Sequence, residues 1–229
     1  MRHYNQYRMA ILITGAAGGL GRAVVEAFLA TGATVYGADV SWKHQPHSNP
    51  NFHPLEANLL QAAECERVAQ LASPVDGLLH LIGAFDGGKP VAETSDEIWQ
   101  KMFEFNLRSA YLMFRAVLPQ MTKAGRGRIV AMGSRAVLEP MANFAAYSAA
   151  KAALVTLVKA VAAENKNSGI TANAVLPSII DTPANRAAMP AADYSKWVTP
   201  ESIASLMVWL ASDAARSVNG AAIPIYGGV

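Results

Sequence analysis

The sequence predicts a doubly wound α/β domain, an open and mostly parallel sheet with helices on both faces. Three observations point there. Short β-branched runs alternate along the chain with longer helical patterns, the order expected of repeated β-α-β units. The strand segments are continuously apolar rather than alternating, as strands buried on both faces are. At 229 residues, 52% of them apolar and 16% charged, the chain suits one large domain with a thick core rather than two.

Residues 10–14 read as a first strand, and 20–30 as a helix with Val24, Ala27, Phe28 and Leu29 on its apolar side. A second strand covers 33–38, a helix 61–71 and a buried strand 77–82. Residues 95–121 hold one long helix or two joined ones, with Ser95 as N-cap. A strand at 128–132, a helix at 147–164, a strand at 171–176, a helix at 200–210 and a last strand at 222–226 complete the pattern. Residues 44–54, rich in Pro, His and Asn, read as a loop. Residues 183–199 form a second irregular stretch, long enough for a lid. Residues 1–9 read as a polar tail and 10–229 as a single domain, without repeat or linker.

Composition removes several classes. The formal charge of +2 is scattered rather than gathered into a stripe, so neither a nucleic-acid footprint nor a polybasic membrane contact is expected. Cys65 is the only cysteine, which precludes an intrachain disulfide, and its setting reads as the flank of a helix. His44, His47 and His53 have no metal-ligand spacing, and no metal is assigned. No run of about 18 uninterrupted apolar residues is present, and no secretory cleavage site follows the polar N-terminus. A cytoplasmic protein is the simplest expectation.

The first strand ends in Thr14-Gly15-Ala16-Ala17-Gly18-Gly19-Leu20-Gly21 and opens a helix. A pyrophosphate needs backbone N–H donors at a helix N-terminus with no Cβ in the way. Gly15 suits the sharp turn, Gly19 close approach of the phosphates, and Gly21 close packing of helix on strand. Asp39 ends the second strand, 18 positions after Gly21. A carboxylate there accepts hydrogen bonds from both adenosine-ribose hydroxyls and repels a 2′-phosphate. The bland alternative is a solvated turn Asp. Lys43 is close enough to blur the choice, but the glycine loop itself contains no basic residue. NAD(H) is therefore expected over NADP(H).

Tyr147 and Lys151 are four apart on one predicted helix and share a face. A phenol titrates near 10 in water; a neighbouring ammonium and an oxidised nicotinamide both favour phenolate and bring it toward neutrality. Ser134, 13 residues earlier at a strand end, is placed to hydrogen-bond a substrate oxygen.

Over residues 10–228 the chain resembles the classical short-chain dehydrogenase/reductases. The glycine loop matches their cofactor loop. Asn106, Ser134, Tyr147 and Lys151 match their catalytic tetrad in order and approximate spacing, and Pro177 and Thr182 match the segment after the sixth strand. The resemblance implies a Rossmann-type, seven-stranded domain and assigns roles. Tyr147 exchanges a proton with the substrate oxygen and Ser134 polarises that oxygen. Lys151 lowers the phenol's pKa and holds the nicotinamide ribose, while Asn106 holds a water linking Lys151 to solvent. Gly15, Gly19, Leu20 and Gly21 take the phosphates, and Thr182 meets the nicotinamide carboxamide. For Asn106 a buried Asn satisfying helix backbone is the alternative.

The departures carry information. Where the family has Asn-Asn-Ala-Gly, this chain reads His80-Leu81-Ile82-Gly83, so only Gly83 is retained. His80 reads either as a hydrogen-bonded core residue or as a base. The usual Asp after the third strand is Asn58, still able to meet the adenine amine, and Ser178 replaces a glycine. Residues 176–197 are similar to quinonoid dihydropteridine reductases, although Ser134 and the glycine loop are of the classical type. In this lid Arg186, Tyr194 and Trp197 either line a substrate pocket, Arg186 meeting an acidic or carbonyl group, or simply pack the lid down.

The resulting expectation is an NAD(H)-dependent oxidoreductase acting on a small carbonyl or alcohol substrate. An NADH-dependent dihydropteridine-reductase-like enzyme and a non-catalytic dinucleotide-sensing protein are the alternatives. The helix at 147–164 is apolar round most of its circumference, which predicts a homodimer or homotetramer.

Overall fold

The structure is a computed structural model describing residues 8–42 and 47–228. Most of the expected tail, Lys43 and His44 lie outside the described residues. Seven parallel strands make one sheet in the order β3-β2-β1-β4-β5-β6-β7. They are β1 Ala10–Thr14, β2 Thr34–Asp39, β3 Phe52–Glu56, β4 Gly77–His80, β5 Gly127–Met132, β6 Ile170–Pro177 and β7 Ala222–Ile225.

The sheet is doubly wound because β-strand order reverses at β1, with β2 on one side and β4 on the other. Helices α1 (Gly19–Ala30) and α7 (Pro200–Ala211) cover one face, burying Val24, Val25, Phe28, Ile203, Met207 and Leu210 against Ile11, Ile13 and Val130. The other face carries α2 (Ala62–Leu71), α4 (Ser109–Ala124) and α5 (Ala145–Glu164). Both sides of β1 are thus dry: Ile11, Leu12 and Ile13 are all fully buried. That explains the unbroken apolar runs.

The expected loop at 44–54 is corrected at its C-terminal end, where Phe52, His53 and Pro54 begin β3. β3 pairs only with β2, and an edge strand tolerates Pro54 because one row of its N–H groups faces no partner. Residues 95–121 divide as α3 (Asp96–Phe103), a π-helical turn at Glu104–Arg108, and α4. The Ser95 hydroxyl caps α3 by accepting the Ile98 N–H. The irregular lid contains a short helix, α6 (Pro183–Ala188), and a 3-10 turn at Tyr194–Lys196. By length and hydropathy α5 would pass for a membrane span, but half of it is buried and it packs on β6 as a core helix does.

Candidate active site

The carboxyl ends of β1, β2, β4, β5 and β6 carry Gly15, Asp39, Gly83, Ser134 and Pro177 to one edge of the sheet. At β1 the chain turns through Gly15, whose φ is +72° and whose N–H donates to the Ala38 carbonyl at 2.8 Å. A Cβ on Gly21 would lie 2.1 Å from the Gly15 oxygen, so only glycine lets α1 start this close to the strand. The first turn of α1 has no side-chain cap and no acidic residue, leaving its N–H groups and dipole open to an anion.

Beside this turn is a cleft of about 310 Å³ lined by Ala17, Gly18, Arg22, Asp39, Val40, Ser41 and Trp42. Asp39 is held by two backbone donors, Ala17 N–H at 3.0 Å and Val40 N–H at 2.7 Å. The buried indole N–H of Trp42 has no acceptor among the described residues. An uncapped helix start, an oriented carboxylate and a donor lacking a partner fit the phosphates and adenosine of a dinucleotide. Arg22 was missed by the sequence reading, which sought a basic residue within the loop and stopped one position short. Asn58 is exposed and absent from the cleft lining, its Oδ1 accepting the Leu60 N–H at 3.1 Å.

At β5 the chain continues into Ser134, which is hydrogen-bonded to the phenol of Tyr147 in the first turns of α5. Burial pushes the Tyr147 pKa above its ordinary value, and the Ser134 hydrogen bond pulls the other way. One turn on, Lys151 is almost fully buried and donates to the Met132 carbonyl at 2.7 Å. Burial lowers its pKa from 10.5 to about 8. The expected lowering of the phenol by the ammonium is not seen here: Lys151 is not among the groups acting on Tyr147.

Asn106 is completely buried in the π-helical turn. Its amide donates to the carbonyls of Ala84 (2.9 Å) and Met102 (3.0 Å), and its Oδ1 accepts the Ala84 N–H at 3.1 Å. Both amide hydrogens are thereby used, so Asn106 anchors the loop after β4 and has only acceptor capacity left. Gly83 is the close-approach point of this loop. A Cβ there would lie 2.8 Å from Asn106 Oδ1 and 3.1 Å from Lys151 Nζ.

His80 is a core residue. Its Nδ1 faces the Thr14 hydroxyl at 3.0 Å and its Nε2 the Ser109 hydroxyl at 3.1 Å. Ser109 donates to the Phe105 carbonyl at 2.7 Å, and Thr14 accepts the Leu81 N–H. Those two bonds set the tautomer: Nε2 carries the hydrogen and Nδ1 accepts from Thr14. Burial, helped by the Lys151 charge, lowers its pKa to about 3. The expected flank residue Cys65 is likewise buried, its thiol pushed up to about 11 by burial.

Pro177 ends β6, and Thr182 caps α6 by accepting the Asn185 N–H. Thr182 also closes on the glycine loop: a Cβ on Gly19 would lie 3.3 Å from its Cβ and Cγ2. In the lid Arg186 makes a two-pronged ion pair with Asp181, at 2.5 and 2.7 Å, and lies over the Tyr194 ring. Trp197 is only 6% exposed and packs on Tyr194. These three side chains pack against one another within the lid. Among the described residues no group of three metal-ligating side chains occurs; His53 instead stacks on Tyr36.

The comparisons with known proteins give the class, an oxidoreductase. Residues 15–229 match the family model described as enoyl-(acyl carrier protein) reductase. The short-chain dehydrogenase/reductase cdmF of Talaromyces verruculosus is 32% identical over 241 residues, covering 94% of each chain. Two solved structures share the fold: a 3-ketoacyl-(acyl-carrier-protein) reductase from Brucella melitensis complexed with NADH, and ElxO with NADP bound. The first has a TM-score of 0.87 at 24% identity, covering 96% of this chain and 97% of that one. The second has a TM-score of 0.89 at 23% identity, covering 97% and 98%. The chain belongs to the short-chain dehydrogenase/reductase family.

Proposed function

We propose that the protein is a cytoplasmic, NAD(H)-dependent reductase or dehydrogenase that interconverts a carbonyl and an alcohol, with Tyr147 as the acid/base. The observation that carries this reading is the Tyr147 phenol hydrogen-bonded to Ser134, with buried Lys151 one turn away. Bound with its phosphates on the start of α1, the nicotinamide would supply or accept the hydride. Ser134 and Tyr147 would hold the substrate oxygen between them and Tyr147 would trade its proton. Asn106 and Gly83 would fix the loop beside Lys151, and Thr182 would close over the glycine turn. Asp39 supports NAD(H), since a carboxylate oriented by two N–H groups repels a 2′-phosphate. Arg22 in the same cleft favours NADP(H).

The test is Tyr147→Phe. It should retain cofactor binding by fluorescence or thermal shift and lose about 10²-fold or more of turnover. Unchanged turnover would remove Tyr147 from the mechanism, and failure to bind either cofactor would remove the whole reading. We further propose a homo-oligomer. A groove of about 450 Å³ lined by Phe103, Glu104, Leu107, Arg108, Tyr111 and Leu157 is the surface a second copy would cover. Sedimentation at micromolar concentration should show no monomer.

A further inference from the structure

The region around Tyr147 is walled by aromatic rings. Phe85, on the loop after β4, stacks on Phe144 with centroids 4.7 Å apart and planes 16° from parallel. The same Phe85 ring stands at 83° to the Tyr147 ring, 4.9 Å away. Two features hold the wall in place. The Gly88 N–H donates to the Asn143 carbonyl at 2.8 Å, tying the loop after β4 to the segment before α5. A Cβ on Gly87 would lie 2.6 Å from Phe144 Cδ1, so the two loops touch without a gap.

The wall is exposed where a core would be covered. Phe85 is 60% exposed, and Leu138 (57%) and Met141 (44%) stand free on the segment between Ser134 and Tyr147. A large apolar ring left open against the Tyr147 ring, with further exposed apolar side chains on the segment leading to it, forms a recognition surface.

Most charges of these loops are held in ion pairs. Asp86 pairs with Lys101 at 2.8 Å and Arg135 with Glu139 at 2.7 Å. In the lid Arg186 is committed to Asp181. Lys89, just beyond Gly87 and Gly88, is the other charged side chain of the loop after β4 and is exposed.

We infer that the substrate is an uncharged ketone, or the matching secondary alcohol, on a flat apolar ring that lies against Phe85. This rests on the carbonyl-reducing reading above and specifies its substrate class. An anionic substrate would find Arg135 and Arg186 already held in ion pairs, with exposed Lys89 the cation left on the loop after β4, and a flexible polar chain would leave the ring wall unused. In the reducing direction, ketone, reduced nicotinamide and one proton become alcohol and oxidised nicotinamide. The hydride forms the new C–H bond as the C=O π bond opens, and the released electron pair takes the Tyr147 proton.

The experiment compares 1-tetralone with a carboxylated tetralone, acetoacetyl-coenzyme A and a quinonoid dihydropterin, with NADH and NADPH separately. Calorimetric binding of each compound to Tyr147→Phe protein is measured in parallel. The expected result is a kcat/KM for 1-tetralone at least tenfold above the others. Phe85→Ala should cut the ratio of kcat/KM for 1-tetralone to that for acetone about tenfold, through KM, while Phe85→Tyr retains it. Preference for the carboxylate, the thioester or the pterin overturns the inference, as does an unchanged ratio in Phe85→Ala. If no compound is turned over yet 1-tetralone binds selectively, the substrate class stands and the reductase reading falls. If nothing is turned over and nothing binds, both fall.

Discussion

Replacing Lys151 with methionine should make the protein more stable and inactive. The ammonium is buried, with the Met132 carbonyl as its hydrogen-bond acceptor, and its pKa falls from 10.5 to about 8 with burial as the cause. A group whose folded pKa lies below its unfolded one binds fewer protons when folded. Stability therefore rises with pH through the window from about 8 to 10.5, and the full cost is present below about 8. A shift of that size corresponds to about 3 kcal/mol at pH 7. Methionine matches the shape of the lysine stem without its charge, so Lys151→Met recovers that cost less about 1 kcal/mol for the Met132 carbonyl left without its donor. The net gain of about 2 kcal/mol corresponds to roughly 4–8 °C in Tm for a domain of this size. At pH 10 the wild-type lysine is already neutral when folded, and the advantage should nearly vanish. Thermal unfolding at pH 7 and pH 10 measures both terms. A variant no more stable than wild type at pH 7, or one whose advantage is the same at both pH values, refutes the reasoning.

Asp39→Ala should lower kcat/KM for NADH by about 10- to 100-fold and raise it for NADPH, because Arg22 then faces the cleft without an opposing carboxylate; initial rates with the two cofactors decide. Gly21→Ala should cost about 3 kcal/mol or more in chemical denaturation, since the atoms its Cβ would meet at 2.1 to 2.8 Å are all backbone. His80→Asn should be about 2 kcal/mol less stable at pH 7, an Asn being too short to span Thr14 and Ser109 together. Wild-type His80 has a folded pKa of about 3 against 6.5, so its contribution is lost as pH falls below 6.5 and the gap should close by about 2 kcal/mol at pH 5. A gap constant from pH 7 to pH 5 counts against the neutral, doubly bonded imidazole.

The regular elements were legible because both sheet faces are covered, which makes strands read as unbroken apolar runs and leaves the polar residues at strand ends conspicuous. β3 was not legible. An edge strand with one neighbour can be built from Phe52, His53 and Pro54, a composition that reads as a turn. The π-helical turn was hidden for another reason: Phe105-Asn106-Leu107 keeps the side-chain pattern of an ordinary helix, and the altered ladder is a property of backbone hydrogen bonds alone. His80 was ambiguous because its partners Thr14 and Ser109 are distant in sequence, and only the parallel pairing of β1 with β4 brings them together. The roles of Arg186, Tyr194 and Trp197 depended on Asp181, whose ion pair the sequence reading did not consider.

The irregular places are also those of the candidate site, and a single physical requirement connects them. Asn106, His80 and Lys151 are polar groups in an apolar interior, and each is satisfied in part by a backbone carbonyl: Ala84 and Met102, Phe105 through Ser109, and Met132. Ladders within regular helices and strands occupy such carbonyls, so the acceptors used here stand at a strand end, in a loop, in the π-helical turn, or at the end of α3 that runs into it. The His80 chain links the start of the glycine loop at Thr14 to the turn that carries Asn106, and Asn106 in turn fixes the loop beside Gly83 and Lys151. Where the family has Asn, this chain uses an imidazole to span two hydroxyls. The glycine turn and the loop beside Lys151 are therefore both tied to the π-helical turn, one through His80 and Ser109 and the other through Asn106, and a break at His80 should loosen the first tie directly.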